Sequence, residues 1–66
     1  MKRNREYVEK LIRIYLSEYG YSGVNFSVDK DEKKYIIIME KIPLFLVEIL
    51  KEVVKMENIN AEIKLE

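Results

Sequence analysis

The sequence predicts an α+β fold, a two-layer sandwich in which two helices cover one face of a three-stranded mixed sheet. Three observations carry that expectation. Two stretches repeat apolar residues at intervals of three and four, the spacing of a helix that buries one side. Two others alternate apolar and polar residues, as strands do when one face is wet. A short apolar run, "KKYIIIMEK", follows a polar turn and reads as the second arm of a hairpin.

From the N-terminus, residues 4–19 form the first predicted helix. Val8, Leu11, Ile12, Tyr15 and Tyr19 share its buried face, while Arg5, Glu9, Arg13 and Ser17 fall opposite. Tyr7, Ile14 and Leu16 widen the apolar arc to about 200°, more than one sheet surface needs. "YGYSG" stops this helix, and Gly20 suits a left-handed C-terminal position. Val24, Phe26 and Val28 then alternate with Asn25 and Ser27 in a half-buried strand. "DKDEK", Asp29 to Lys33, reads as a polar loop of about five or six residues, too long for turn chemistry to set the register. The next strand, Tyr35 to Met39, is apolar at five consecutive positions and does not alternate.

Pro43 marks the start of a second helix reaching about Met56, because its missing N–H costs nothing in a first turn. Phe45, Leu46, Ile49, Leu50, Val53 and Met56 line one side of it, with Val47 and Val54 widening the arc. Glu48, Lys51, Glu52 and Lys55 form the wet side. "MENIN" closes the helix. Ile59, Ala61, Ile63 and Leu65 then alternate with Asn60, Glu62 and Lys64 in a last strand.

The order is therefore α-β-β-α-β. A strand–helix–strand unit within one sheet crosses over right-handedly, which makes the second and last strands parallel. The first strand pairs antiparallel with the second. This arrangement resembles a ferredoxin-like β-α-β-β-α-β unit lacking its first strand. In the complete unit that strand separates the two strands joined by the second helix; here they either close up or leave a slot. The likeness is architectural and carries no function.

Sixty-six residues are expected to form one domain, residues 1–66, near the lower size limit for folding alone. Without cysteine or histidine, disulfides and thiolate or imidazole metal sites are excluded, and no cofactor is expected. An unusually apolar core or self-association must supply what a staple would have given. Twelve basic and twelve acidic residues cancel, so no global field draws the chain to nucleic acid or an anionic membrane. Abundant Glu and Lys, with no Gln, Thr, Cys, His or Trp, fit a heat-adapted intracellular protein. Charged residues continue through "MKRNREYVEK" where a signal peptide would turn apolar, and no apolar run approaches the ~20 residues that span a bilayer. A cytoplasmic protein with no membrane partner is expected.

Catalytic chemistry has little to work with, and the chain is expected not to be an enzyme. No Cys–His or Ser–His arrangement exists, and Ser17, Ser22 and Ser27 are the only hydroxyls outside tyrosine. Asp29, Asp31 and Glu32 are hard oxygen ligands, but the glycine and late glutamate of a calcium loop are missing; a charged hairpin tip explains them. Gly20 and Gly23 flank a turn and resemble no phosphate loop.

The middle strand is the informative element. Asn25, Ser27, Asn60, Glu62 and Lys64 belong to the face away from the helices, because their alternating neighbours face inward. The middle strand adds to that face either Tyr35, Ile37 and Met39 or, in the opposite register, Ile36 and Ile38. The first set is preferred as the contact surface. Either way, large apolar groups stand among polar ones on an uncovered surface. The expected function is a small protein-interaction or regulatory module. It forms a homodimer or docks on a larger protein through this face, a sheet edge or a helix flank. The alternative is a nucleic-acid binder using Arg3, Arg5, Lys10 and Arg13, with Tyr35 stacking a base on the open face. Glu6 and Glu9 interrupt that basic cluster.

Overall fold

The computed structural model describes residues 4–66, and the same device ends both helices in it. The elements are α1 (Arg5–Glu18), β1 (Phe26–Asp31), β2 (Lys34–Met39), α2 (Leu44–Met56) and β3 (Ala61–Leu65). After α1, Gly20 takes φ 85°; its N–H donates to the Ser17 carbonyl at 3.0 Å and the Tyr21 N–H to the Leu16 carbonyl at 2.8 Å. After α2, Asn58 takes φ 58°, its N–H donates to the Lys55 carbonyl at 3.0 Å and the Ile59 N–H to the Val54 carbonyl at 2.8 Å. These paired bonds satisfy carbonyls that the last helical turn leaves open. At the other end of α1, the Asn4 side-chain oxygen accepts the Tyr7 N–H at 2.9 Å, a side-chain N-cap. Pro43 stands one place earlier than expected. It is the N-cap of α2 in an extended conformation, and its carbonyl accepts the N–H groups of Leu46 and Val47.

The sheet order is β1-β2-β3, with β1 antiparallel and β3 parallel to β2. The two strands joined by α2 therefore close up, and no slot remains between them. Both helices lie on one face. Val8, Ile12 and Leu16 from α1 and Leu46, Leu50 and Val54 from α2 meet Val28, Ile37 and Met39 of the sheet in one cluster. Each fully buried aliphatic side chain there contributes roughly 1.5–3 kcal/mol. No polar or charged side chain is buried among the described residues. The helices run antiparallel: the Tyr7 hydroxyl meets a Glu57 carboxylate oxygen at 2.9 Å at one end, and the Tyr19 and Phe45 rings meet edge to face at 6.3 Å at the other.

Two sequence expectations change. Asp29, Lys30 and Asp31 are not loop; they extend β1, pairing with Ile36, Tyr35 and Lys34, and the turn is only Glu32 and Lys33. An edge strand tolerates such residues because its outward side chains stay in water. Glu32 accepts φ 54°, which lets two residues reverse the chain. The buried strip of α2 is also narrower than its apolar arc. Phe45 and Met56 lie roughly 120–140° from Leu50, at about 100° per residue, and are 54% and 79% exposed.

Candidate interaction surface

Parity decides what the open face of the sheet carries. In β2, Tyr35, Ile37 and Met39 point to the helices and are 8%, 0% and 1% exposed. The contact set preferred from the sequence therefore faces the helices and not the open side. Phe26 and Val28 of β1 face the helices opposite Met39 and Ile37, and β-pairing forces partners onto the same side. Ile36 and Ile38 occupy the open face, both half-buried.

Their neighbours follow from the register. Ile38 stands between Ser27 of β1 and Lys64 of β3, and Ile36 between Asp29 and Glu62. Beyond Ile36, Lys34 lies opposite Asp31 and its ammonium reaches Glu62 at 2.9 Å. Asn25 and Glu40 close the other end, where the Asn25 N–H donates to the Glu40 carboxylate at 2.9 Å. The result is two isoleucines in a ring of polar and charged groups, with neither α1 nor α2 above them. Every polar open-face residue expected from alternation (Asn25, Ser27, Asn60, Glu62 and Lys64) is exposed.

The Lys34–Glu62 pair is the electrostatic feature of this face. The hydrogen bond from Lys34, and then its positive charge, holds the Glu62 carboxyl below the usual range. Lys64 adds to that effect. Reciprocally, the bond to Glu62 and its negative charge raise the Lys34 ammonium. Both groups are exposed, so the pair orients side chains more than it stabilises the fold.

Of the residues of the nucleic-acid alternative, Arg5, Lys10 and Arg13 gather on α1 around Glu6 and Glu9, and Tyr35 lies apart from them. Tyr35 is inside, with the Lys30 ammonium 4.5 Å from its ring centre, so no base can stack on it from the open face. Arg5 and Arg13 both approach Glu9, at 4.0 and 3.9 Å, and Arg13 also covers the Phe26 ring. Lys10 borders one shallow groove with Arg13, Glu6 and Glu9, so two carboxylates stand among the cations of α1. Arg3 lies outside the described residues. Asp29, Asp31, Glu40 and Glu62 give the open face an acidic bias over Lys34 and Lys64.

Other surfaces are apolar as well. On the two helices Ile14, Tyr19, Phe45 and Met56 are exposed, which is where the excess width of both apolar arcs goes. A groove of about 650 Å³ runs between α2 and the outer side of β3, bordered by Lys51, Lys55, Ala61 and Ile63. Alternation in β3 names its two faces, but nothing in its sequence marks it as an edge; that follows only from the strand order. No group of three or more carboxylates among the described residues could hold a metal ion, and no helix there is long and apolar enough to cross a membrane.

No family model, curated protein or solved structure matches this chain.

Proposed function

We propose that this chain is a non-enzymatic interaction module that self-associates or docks on a larger protein, with its sheet as the binding element. The observation that carries this reading is the pair Ile36 and Ile38, held on a sheet face that neither α1 nor α2, nor any other described residue, covers. A 66-residue chain has little apolar surface to spare, and these two large side chains are left outside its core. A charged and polar rim around an apolar centre is the usual build of a protein-binding surface. The cytoplasmic setting expected from the sequence fits this role.

A photo-crosslinking residue placed at Ile38 tests the proposal. In cells making the protein, it should join the chain to a second polypeptide, either another copy or a larger protein. The same group at Ser17, on the wet side of α1, should not. Equal labelling at both positions, or at neither, contradicts the reading.

A further inference from the structure

The polarity of the β2–β3 ladder fixes which backbone groups β3 turns outward. Tyr35 donates its N–H to the Asn60 carbonyl, and Glu66 donates to the Met39 carbonyl. Even-numbered residues of this segment therefore bond toward β2, as parallel pairing requires. The N–H and C=O groups of Ala61, Ile63 and Leu65 point away from the sheet. Such an open edge is a template for another strand.

We infer that the occupant of this edge is a second copy of the same strand, antiparallel and related by a two-fold axis through Ile63. The sequence "AEIKL" read against its own reverse places Ala61 opposite Leu65, Glu62 opposite Lys64, and Ile63 opposite Ile63. Ile63 faces its equivalent as a hydrogen-bonded pair, exchanging two bonds, and each Ala61–Leu65 pair exchanges two more. All outward groups of the strand are then satisfied. Glu62 and Lys64 fall at the non-hydrogen-bonded positions, where facing side chains come closest. Both lie on the open face, so each carboxylate meets the other copy's ammonium.

The register is specific. A two-fold axis perpendicular to the sheet keeps each face on its own side, so only residues of like parity can oppose one another. Moving the axis to Glu62 sets carboxylate against carboxylate, and moving it to Lys64 sets ammonium against ammonium. Lys64 has no ion pair among the described residues, whereas Glu62 already holds Lys34. The opposite edge lacks this complementarity. β1 turns Ser27, Asp29 and Asp31 to the open face, with no cation to match them.

On the helix side, pairing at β3 covers Ile63 and the exposed Leu65, and places small Ala61 beside Leu65. It also brings the two α2 helices together over the seam, at a spacing of roughly 10 Å, or two strand separations. Lys51 and Lys55 border that seam and repel their equivalents. Glu48, 3.8 Å from Lys51, offsets part of this. The product is a continuous six-stranded sheet whose open face carries both copies of Ile36 and Ile38. This inference goes beyond the open-face reading: it names a second copy as the partner of the edge, and leaves Ile36 and Ile38 uncovered.

Charge reversal tests it, read as mass in solution by light scattering, with circular dichroism confirming the fold of each variant. The wild-type chain should show about twice the 8.0 kDa of one chain. Glu62→Lys and Lys64→Glu should each be single chains. An equimolar mixture of the two should regain the two-chain mass, because every cross-strand pair is again of opposite sign. A mixture that stays single-chain overturns the register. Variants that remain two-chain on their own overturn the edge pairing and leave the interaction reading to another surface. A wild type that is single-chain at every concentration overturns the second copy as partner, and crosslinking from Ile38 still decides whether a different protein binds.

Discussion

Ile37 and Ile38 are neighbours in the chain and opposites in the fold. Ile37 is fully buried beneath both helices, while Ile38 stands on the open face between Ser27 and Lys64. An aspartate at either position separates the two roles. Ile37→Asp should unfold the protein, since an unpaired buried carboxylate costs about 5 kcal/mol or more, comparable to the whole stability of a domain this size. Ile38→Asp should cost about 1 kcal/mol and leave the far-ultraviolet spectrum unchanged. Urea melts of the two variants check this; equal loss in both contradicts the observed parity.

The left-handed residues after the helices give a second prediction. Nothing lies within 4 Å of where a Gly20 side chain would begin, so the cost of Gly20→Ala is conformational and should be about 1 kcal/mol. Asn58→Ala should cost a similar amount, and Asn58→Gly should be neutral or slightly stabilising. Thermal melts measure all three. A neutral Asn58→Ala contradicts the cap assignment.

Glu32 makes the hairpin turn at φ 54° without the help of a glycine. Replacing it with glycine removes the side-chain penalty of that region, offset in part by the added freedom of the unfolded chain. Glu32→Gly should raise stability by about 0.5–1 kcal/mol in urea titration. A loss of stability means that the Glu32 side chain contributes to the turn.

Most of the fold was legible in the sequence, because strong periodicity in α1, α2 and β3 left little choice of element or order. The hairpin was not. "DKDEK" carries no Asn-Gly or Asp-Gly signal, and a charged edge strand looks the same as a charged loop when only one sequence is read. That ambiguity also hid the parity of β2: five consecutive apolar residues fit either face, and only pairing with Phe26 and Val28 fixes it. The candidate surface was therefore recognisable as a face but not as a set of residues. The open edge of β3 was less legible still, since an edge is a property of strand order, and the sequence left open whether β3 sits beside β2.

The Lys34–Glu62 pair gives a pH prediction. Glu62 has a lowered folded pKa, so its contribution is present above the unfolded value and is lost as pH falls through the folded one. Lys34 has a raised folded pKa, so its contribution is full below the unfolded value and is lost as pH rises through the folded one. The pair therefore acts across the whole neutral range and fails only in acid or strong alkali. Lys34→Ala should move the Glu62 titration, followed by carboxyl NMR, upward toward the usual carboxylate range. No movement contradicts the ion pair.

Amide hydrogen exchange in β3 tests the central claim, that the sheet binds another chain at its open edge, most directly. Glu62 and Lys64 bond to β2 and should be protected at any concentration. Ala61, Ile63 and Leu65 should exchange freely in dilute protein and become protected together as concentration rises. If those three amides exchange freely at every concentration while Glu62 and Lys64 stay protected, the edge has no partner strand and this claim is wrong.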